Sequence, residues 1–493
     1  MQVAAVFWLA VVIAQAAAVE PDAGQPSVED NYDDRWVTAS SEHFLLYASG
    51  GVRVARRTLQ EAERAREALR LALTIDGEFP EDNRRLTLVL FTSDWLYDSV
   101  APRNSIGVFR PAMGWGETDF VVLRGAGRLL VLRHELAHRL MQPVLPGAPP
   151  WLAEGMAEYF QWTESSDTSV VAGSTPETAP LQRVVSDSPY FPPLTQLLAA
   201  PKSAFYGPQA PGLYGASFWL VSTLNSTSGY REGLRRVVRA ISKGSPADTA
   251  WKQAFTAAQT AAVDRDYRVS PARPDPVSYR MAWQPPAVEI STVRPLNRAE
   301  VHVLMARLYG RSRQSRVREE LDAVIENDPR NADSFALRAL FASPSKQRRD
   351  DAKRAVTLDP TGLLGWEALG LALLPAVNPA DKTRLREVVQ RLESFGDSAE
   401  SHCLGATLLD EAGDRARALT LARAAVRIRP SYFLGQAVLA NVAAHGRKNA
   451  EARMARDRAW ALAPDGFDPK ALELLLGGPP QSQRVKLHQS STR

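Results

Sequence analysis

The pattern of apolar and polar positions divides the 493-residue chain into stretches with different periodicities. From Trp36 onward, short apolar or alternating runs recur: HFLLYAS (residues 43–49), RLTLVLFTS (85–93), SIGVFRP (105–111) and TDFVVLR (118–124). Each has the length and the apolar or alternating pattern of a strand. Between the first two, Val52 to Leu73 is laced with charge and carries apolar residues at helical spacing, which predicts a helix. Leu130 to Met141 is mostly apolar and predicts a buried helix. Pro143, Pro146, Pro149 and Pro150 then force a turn, after which WLAEGMAEYF restarts as a second helix near Trp151. Leu213 to Leu224, Tyr230 to Ile241 and Pro246 to Ala257 predict further helices. Strands followed by helices in this order make an α+β unit over residues 36–270. The strand at Phe120 to Arg124, directly before the first buried helix, is a candidate sheet edge, with an interior strand as the alternative. Ser, Thr, Pro and Gly are dense from Phe160 to residue 212, which fits either a lid beside a binding site or a solvated insertion.

Residues 271–296 are proline-dense and aperiodic, the composition of a linker or a strapping segment. Residues 297–475 differ again, with Ala- and Leu-rich helical pieces punctuated by prolines. Pro430 and Pro464 lie 34 residues apart and Pro329 and Pro360 lie 31 apart, close to the period of a tetratricopeptide-like helical hairpin. The stretch GATLLDEAGDRARALTLARAAVRIRP is the best copy, with Ala418, Ala425 and Pro430 in the small-residue and closing positions. The expectation is three to five helical hairpins in an all-α solenoid, which presents a surface to a protein partner or serves as a spacer.

Length agrees with more than one domain, because single cores rarely grow past about 300 residues. A formal charge of +4 with acids and bases interspersed gives no basic stripe for nucleic acid. Residues 1–18 form an apolar run ending in small residues, which predicts a signal peptide and export to the periplasm or beyond; an uncleaved anchor is the alternative. Residues 19–35 predict an acidic flexible leader and 476–493 a polar tail. No later stretch is apolar enough to span a bilayer. Cys403 is the only cysteine, so no intramolecular disulfide can form.

The chemistry concentrates in LRHELAHRLMQPVLPGAPPWLAEGMAEY, residues 132–159. His134 and His138 are four residues apart, so on a helix both imidazoles lie on one face and can reach one ion. Glu135 sits at the edge of that face, where a carboxylate can take a proton from an activated water. A surface helix that happens to carry two histidines and an acid is the alternative. The apolar surroundings weigh against it, because buried histidines need partners. The turn brings Glu154 and Glu158 back toward the pair, with fifteen and nineteen residues intervening after His138. His43 reads as structural, and His302, His402, His445 and His488 are dispersed without metal spacing.

HELAH followed by a proline-rich turn and WLAEGMAEYF resembles the gluzincin metallopeptidases, and in particular the peptidase MA-like domains of bacterial secreted proteins. The resemblance implies a zincin-like fold and one Zn²⁺ per chain. It implies His134 and His138 as ligands, with the Glu of W-x-x-E-G-x-A as the third, which falls on Glu154. Glu158, at the thermolysin-like spacing, competes for that place, or else accepts from a ligand imidazole. Glu135 is the implied general base. Tyr214 is the implied oxyanion donor, with Tyr206 as the alternative. An edge strand before the active-site helix is implied to take extended peptide. No Gly-Ala-Met-Glu-Asn segment precedes HELAH, and PAMGWG (111–116) is a poor echo of it, which favours an endopeptidase over an aminopeptidase. The competing class is an inactive envelope scaffold that binds a partner through its helical repeats.

Overall fold

A computed structural model describes residues 35–73, 85–102, 105–112, 114–125, 129–145, 148–173, 191–226, 228–272, 278–376 and 378–463, with Glu473 and Leu476. The segments expected to be a signal peptide, leader and polar tail lie outside the described residues, apart from Arg35 and Leu476. The protein is mixed α/β, with a sheet near its N-terminus and a helical C-terminal region. It folds as two compact units: residues 35–111 with 119–295, and residues 112–118 with those from Leu296 onward. Among the described residues no helix is long and apolar enough to cross a membrane.

The first unit is built on a six-stranded sheet. Its strands are β1 (Val37–Ser40), β2 (Phe44–Ala48), β3 (Leu86–Phe91), β4 (Gly107–Arg110), β5 (Phe120–Arg124) and β9 (Arg294–Pro295), in the order β4-β5-β3-β2-β1-β9. The pairs β2–β3 and β3–β5 are parallel, while β4 runs antiparallel to β5. In β2, Phe44, Leu46 and Ala48 alternate inward, whereas all six residues of β3 are buried, as expected at the centre of a sheet. Helix α1 (Gly51–Leu73) lays Ala55, Leu59, Ala62, Ala65, Leu69 and Leu73 against this core and turns Arg53, Arg56, Arg57 and Arg70 outward.

Phe120–Arg124 is therefore not the sheet edge. It lies between β3 and β4, and its first four residues are buried. The edge is β4, whose residues are all half-buried. Runs of apolar residues mark strands, but strand order depends on pairings between distant segments, and SIGVFRP carries no local sign that it folds back outside TDFVVLR.

The proline-dense segment 278–295 straps the first unit. Strand β8 (Tyr279–Ala282) pairs with β7 (Ser169–Ala172), which also pairs with β6 (Glu164–Ser165). Ser291 exchanges bonds with Ser40, its N–H donating to the carbonyl at 2.8 Å and its hydroxyl accepting from the amide at 2.8 Å. Beyond the sheet, α2 (Asp94–Val100), α3 (Leu129–Met141), α4 (Pro150–Phe160), α5 (Leu194–Ala199), α6 (Ala210–Ser226), α7 (Ser228–Ser242), α8 (Ala247–Ala254) and α9 (Ala257–Val269) complete the unit. Within the 160–212 stretch, β6, β7 and α5 are ordered elements.

In the second unit, helices pair as successive hairpins: α10 (Arg298–Tyr309) with α11 (Gln314–Asn327), α12 (Ala332–Phe341) with α13 (Ser345–Leu358), and α14 (Leu363–Ala372) with α15 (Pro379–Ser394). They continue with α16 (Ala399–Glu411) and α17 (Arg415–Ile428), then α18 (Phe433–His445) and α19 (Asn449–Leu462). The first helices of the hairpins begin 31 to 36 residues apart and pack on one another in turn. Side-chain caps start several of them: Asn297 and Glu300 form a reciprocal capping box at α10, and Asn331, Asn378, Ser398 and Asp414 cap α12, α15, α16 and α17.

Candidate metal centre

Helix α3 buries Leu132, Leu136, Ala137 and Met141, which holds the opposite face, with His134 and His138, at the rim of the core. Helix α4 starts where the prolines end. Pro149 is its N-cap and Pro150 its first residue, a position where the missing N–H has no helical partner to lose. Trp151, Leu152, Met156 and Ala157 bury its inner side. Gly155 touches α6 so closely that a Cβ there would stand 2.5 Å from the Ser217 carbonyl oxygen. This contact carries α4 and its two glutamates up to α3, and it sets α6 with Tyr214 beside the same site.

Three donor atoms converge. Nε2 of His134 and Nε2 of His138 are 3.1 Å apart, and Oε2 of Glu154 lies 3.5 Å from the first and 3.3 Å from the second. For a tetrahedral ion with bonds of about 2.05 Å, ligand atoms stand about 3.3 Å from each other, so the triangle has the dimensions of three corners of such a site. Its electrostatics point the same way. Two imidazole nitrogens and a carboxylate oxygen turned toward one point have lone pairs facing each other unless a proton or a cation lies between them. Oε2 of Glu154 is buried and has no hydrogen-bond donor of its own. Among the described residues, these three side chains are the group placed to hold a metal ion.

The charges confirm how tightly the cluster is coupled. Burial alone would depress the His134 imidazole, but the carboxylates of Glu154, Glu158 and Glu135 outweigh it and hold the group up to about 9. Burial would raise Glu154, but His138 and His134 pull it well below the usual carboxylate range. Glu158 goes the other way, pushed up by burial and by the Glu154 charge against the pull of His134. Its Oε1 lies 3.5 Å from His134 Nδ1, and its other oxygen accepts from the Gln161 amide. A carboxylate at Nδ1 favours the tautomer that leaves the Nε2 lone pair facing the cluster.

Glu135 is buried beside this group. Its Oε2 accepts the Phe109 N–H of edge strand β4 at 2.6 Å. Gly107, in the same strand, makes room for it: a Cβ there would meet Glu135 Cγ and Oε1 at 3.3 Å and Val131 Cγ1 at 2.3 Å. The Tyr214 ring centroid is 6.5 Å from that of His134, and Phe205 packs edge-on against the tyrosine. The side chain of Tyr206 lies outside the described residues. His43 stands apart from the cluster and pairs with buried Glu63 at 2.8 Å.

Sequence reasoning placed His134, Glu135, His138, Glu154, Glu158 and Tyr214, and the fold brings all six together. It missed Phe109 and Gly107, which act through a backbone N–H and an absent side chain and so leave no residue-type signature. It also missed the buried Asp119–Arg139 ion pair (3.1 Å), which ties α3 to the start of β5. Compared with known proteins, the sequence matches no family model and no curated protein.

Proposed function

We propose that the protein is a zinc-dependent peptidase of zincin-like fold, hydrolysing peptide bonds as an endopeptidase. The observation that carries this reading is the triangle of His134 Nε2, His138 Nε2 and Glu154 Oε2, with sides of 3.1 to 3.5 Å and at one corner a buried carboxylate oxygen that faces both imidazoles. Three protein ligands leave a fourth position open, the arrangement of a catalytic rather than a structural site. When bound there, Zn²⁺ would supply Lewis acidity, polarising a carbonyl and lowering the pKa of a water toward about 7.

The remaining steps belong to the chain. With Oε2 of Glu135 held by the Phe109 N–H, Oε1 is left to accept the proton of the attacking water and to return it to the leaving nitrogen. Glu158 orients His134, and the Tyr214 phenol donates to the oxyanion as the carbonyl becomes tetrahedral. Strand β4 has no neighbouring strand on its outer side among the described residues, and the main-chain groups there that Glu135 does not hold can take an extended substrate without regard to side chain. The hairpin spacing of the helical unit supports a tetratricopeptide-like array, and the apolar N-terminal run supports export to the cell envelope or its exterior.

The test is metal analysis of the purified protein with digestion of a peptide library, with and without chelator. Glu135→Gln is expected to retain stoichiometric zinc and lose cleavage, and Glu154→Ala to lose most of the metal. Zinc content unchanged in Glu154→Ala would remove the third ligand from this assignment. Bound zinc with no cleavage of any peptide by the wild type would favour the scaffold over the enzyme.

A further inference from the structure

Residues 112–118 lie in sequence between β4 and β5, yet they pack as part of the helical unit. Gly114 to Glu117 form a turn, closed by the Glu117 N–H donating to the Gly114 carbonyl at 3.3 Å, with Gly116 at φ +76°. The helices recognise this turn in detail. Trp115 is only 2% exposed. Arg311 donates from Nη2 to the Trp115 carbonyl at 3.1 Å and from Nε to Glu117 Oε1 at 3.2 Å. Its third branch donates to the Leu340 carbonyl at 3.2 Å, and its guanidinium lies over the Phe341 ring. Buried Glu367 of α14 accepts the Gly116 N–H. A Cβ on Gly116 would meet Leu340 Cδ1 at 2.6 Å.

A surface loop is normally solvated and read by nothing. Here one buried aromatic, two main-chain groups and an ion pair are matched by the helices, which is how a peptide-binding groove holds its ligand. The bound segment is the tip of the β4–β5 hairpin. Three residues, 111–113, separate Gly114 from β4, the strand whose Phe109 N–H holds Glu135. We propose that the helical unit is a clasp for this tip, with Gly114–Glu117 as its built-in ligand, and that Arg311 and Glu367 are positioning residues that restrain β4 and through it Glu135. The role of Glu135 in this statement rests on the peptidase reading; the clasp does not. An external protein partner in the same groove is the competing occupant.

The experiment compares full-length wild type with Arg311→Ala, on the helices, and Gly116→Val, on the turn, by hydrogen exchange, zinc content and steady-state cleavage. The clasp predicts that both variants raise exchange across residues 107–118, Phe109 included, by about tenfold or more, while β1, β2, α16 and α18 keep wild-type protection. Zinc content should be unchanged, and kcat should fall with little change in KM. Unchanged protection at Phe109 in both variants overturns the proposal, as does full turnover with that protection lost. Gly116→Val separates the clasp from general damage to the helices, because it alters no helical residue. A wild-type protein that cleaves nothing would end the peptidase reading, and the exchange data would still decide the clasp.

Discussion

Gly155 offers the sharpest test of how the fold builds the proposed metal centre, because it adjoins the proposed ligand Glu154 without being one itself. In Gly155→Ala the new methyl carbon would stand 2.5 Å from the Ser217 carbonyl oxygen, 2.9 Å from its carbonyl carbon and 2.9 Å from Val221 Cγ2. Ordinary contact for such atoms is about 3.5 Å, so α4 and α6 must separate by close to 1 Å, and the first obstacle is backbone that no rotamer change can clear. Overpacking of this kind costs about 1–3 kcal/mol. The displacement also falls beside Glu154, whose Oε2 completes a triangle with sides of 3.1 to 3.5 Å. Metal sites tolerate ligand errors of only about 0.2 Å, so a shift several times larger should weaken zinc by about 10- to 100-fold. Zinc affinity measured by chelator competition, with thermal unfolding of the metal-free protein alongside, separates the two effects. If Gly155→Ala binds zinc as tightly as wild type with its stability lowered, the helix contact does not set the ligand geometry; if stability is unchanged as well, the close approach itself is refuted.

Three further outcomes are expected. Glu158→Gln should weaken zinc by about tenfold in the same competition assay, because a neutral amide favours the Nδ1–H tautomer of His134 less strongly. Tyr214→Phe should lower kcat by about 100-fold with KM little changed and zinc retained, the loss expected for one oxyanion donor; equal turnover would make the tyrosine a packing residue. Burial, and after it the Glu400 charge, push Glu367 up to about 7 from 4.5. This raised value stabilises the fold fully below about pH 4.5, and the contribution is lost as pH rises through 7. Urea unfolding of the helical unit should therefore weaken by about 2–3 kcal/mol between about pH 5 and pH 8. In Glu367→Gln that slope should disappear, and a wild-type slope in the variant would rule out this carboxyl as its source.

What the sequence makes legible here follows from how each feature is encoded. The donor set is written in residue type and spacing: imidazoles four positions apart fall on one face, and a run of prolines forces the return that delivers Glu154 and Glu158. Even the close approach at Gly155 is signalled, since a glycine inside an otherwise apolar helix usually has a packing reason. The repeat is legible for the same reason, through prolines that recur at nearly constant distance, and the hairpins begin 31 to 36 residues apart. Other features have no such encoding. That β4 rather than β5 is the edge depends on which strand folds back outside the other, and both read as apolar runs. Phe109 contributes a backbone N–H, which every residue but proline possesses, and Gly107 contributes the space where a side chain would be.

The segment PAMGWG shows the same division in one place. Read as a sequence, it is measured against a motif for gripping a free amine and found wanting. Read in the fold, its glycines and tryptophan answer to a different requirement: Gly116 takes a positive φ against Leu340, and Trp115 is buried with its carbonyl on Arg311. A turn that must fit between helices about 200 residues away in sequence needs small residues, one anchor and a fixed backbone, and these are what the segment contains. Its departure from an amine-binding motif goes with this fit, since Trp115 and Glu117 meet Arg311 and Gly116 packs against Leu340. On the proposed endopeptidase reading, this tip is engaged by Arg311 of the chain itself and is not assigned to gripping the end of a peptide.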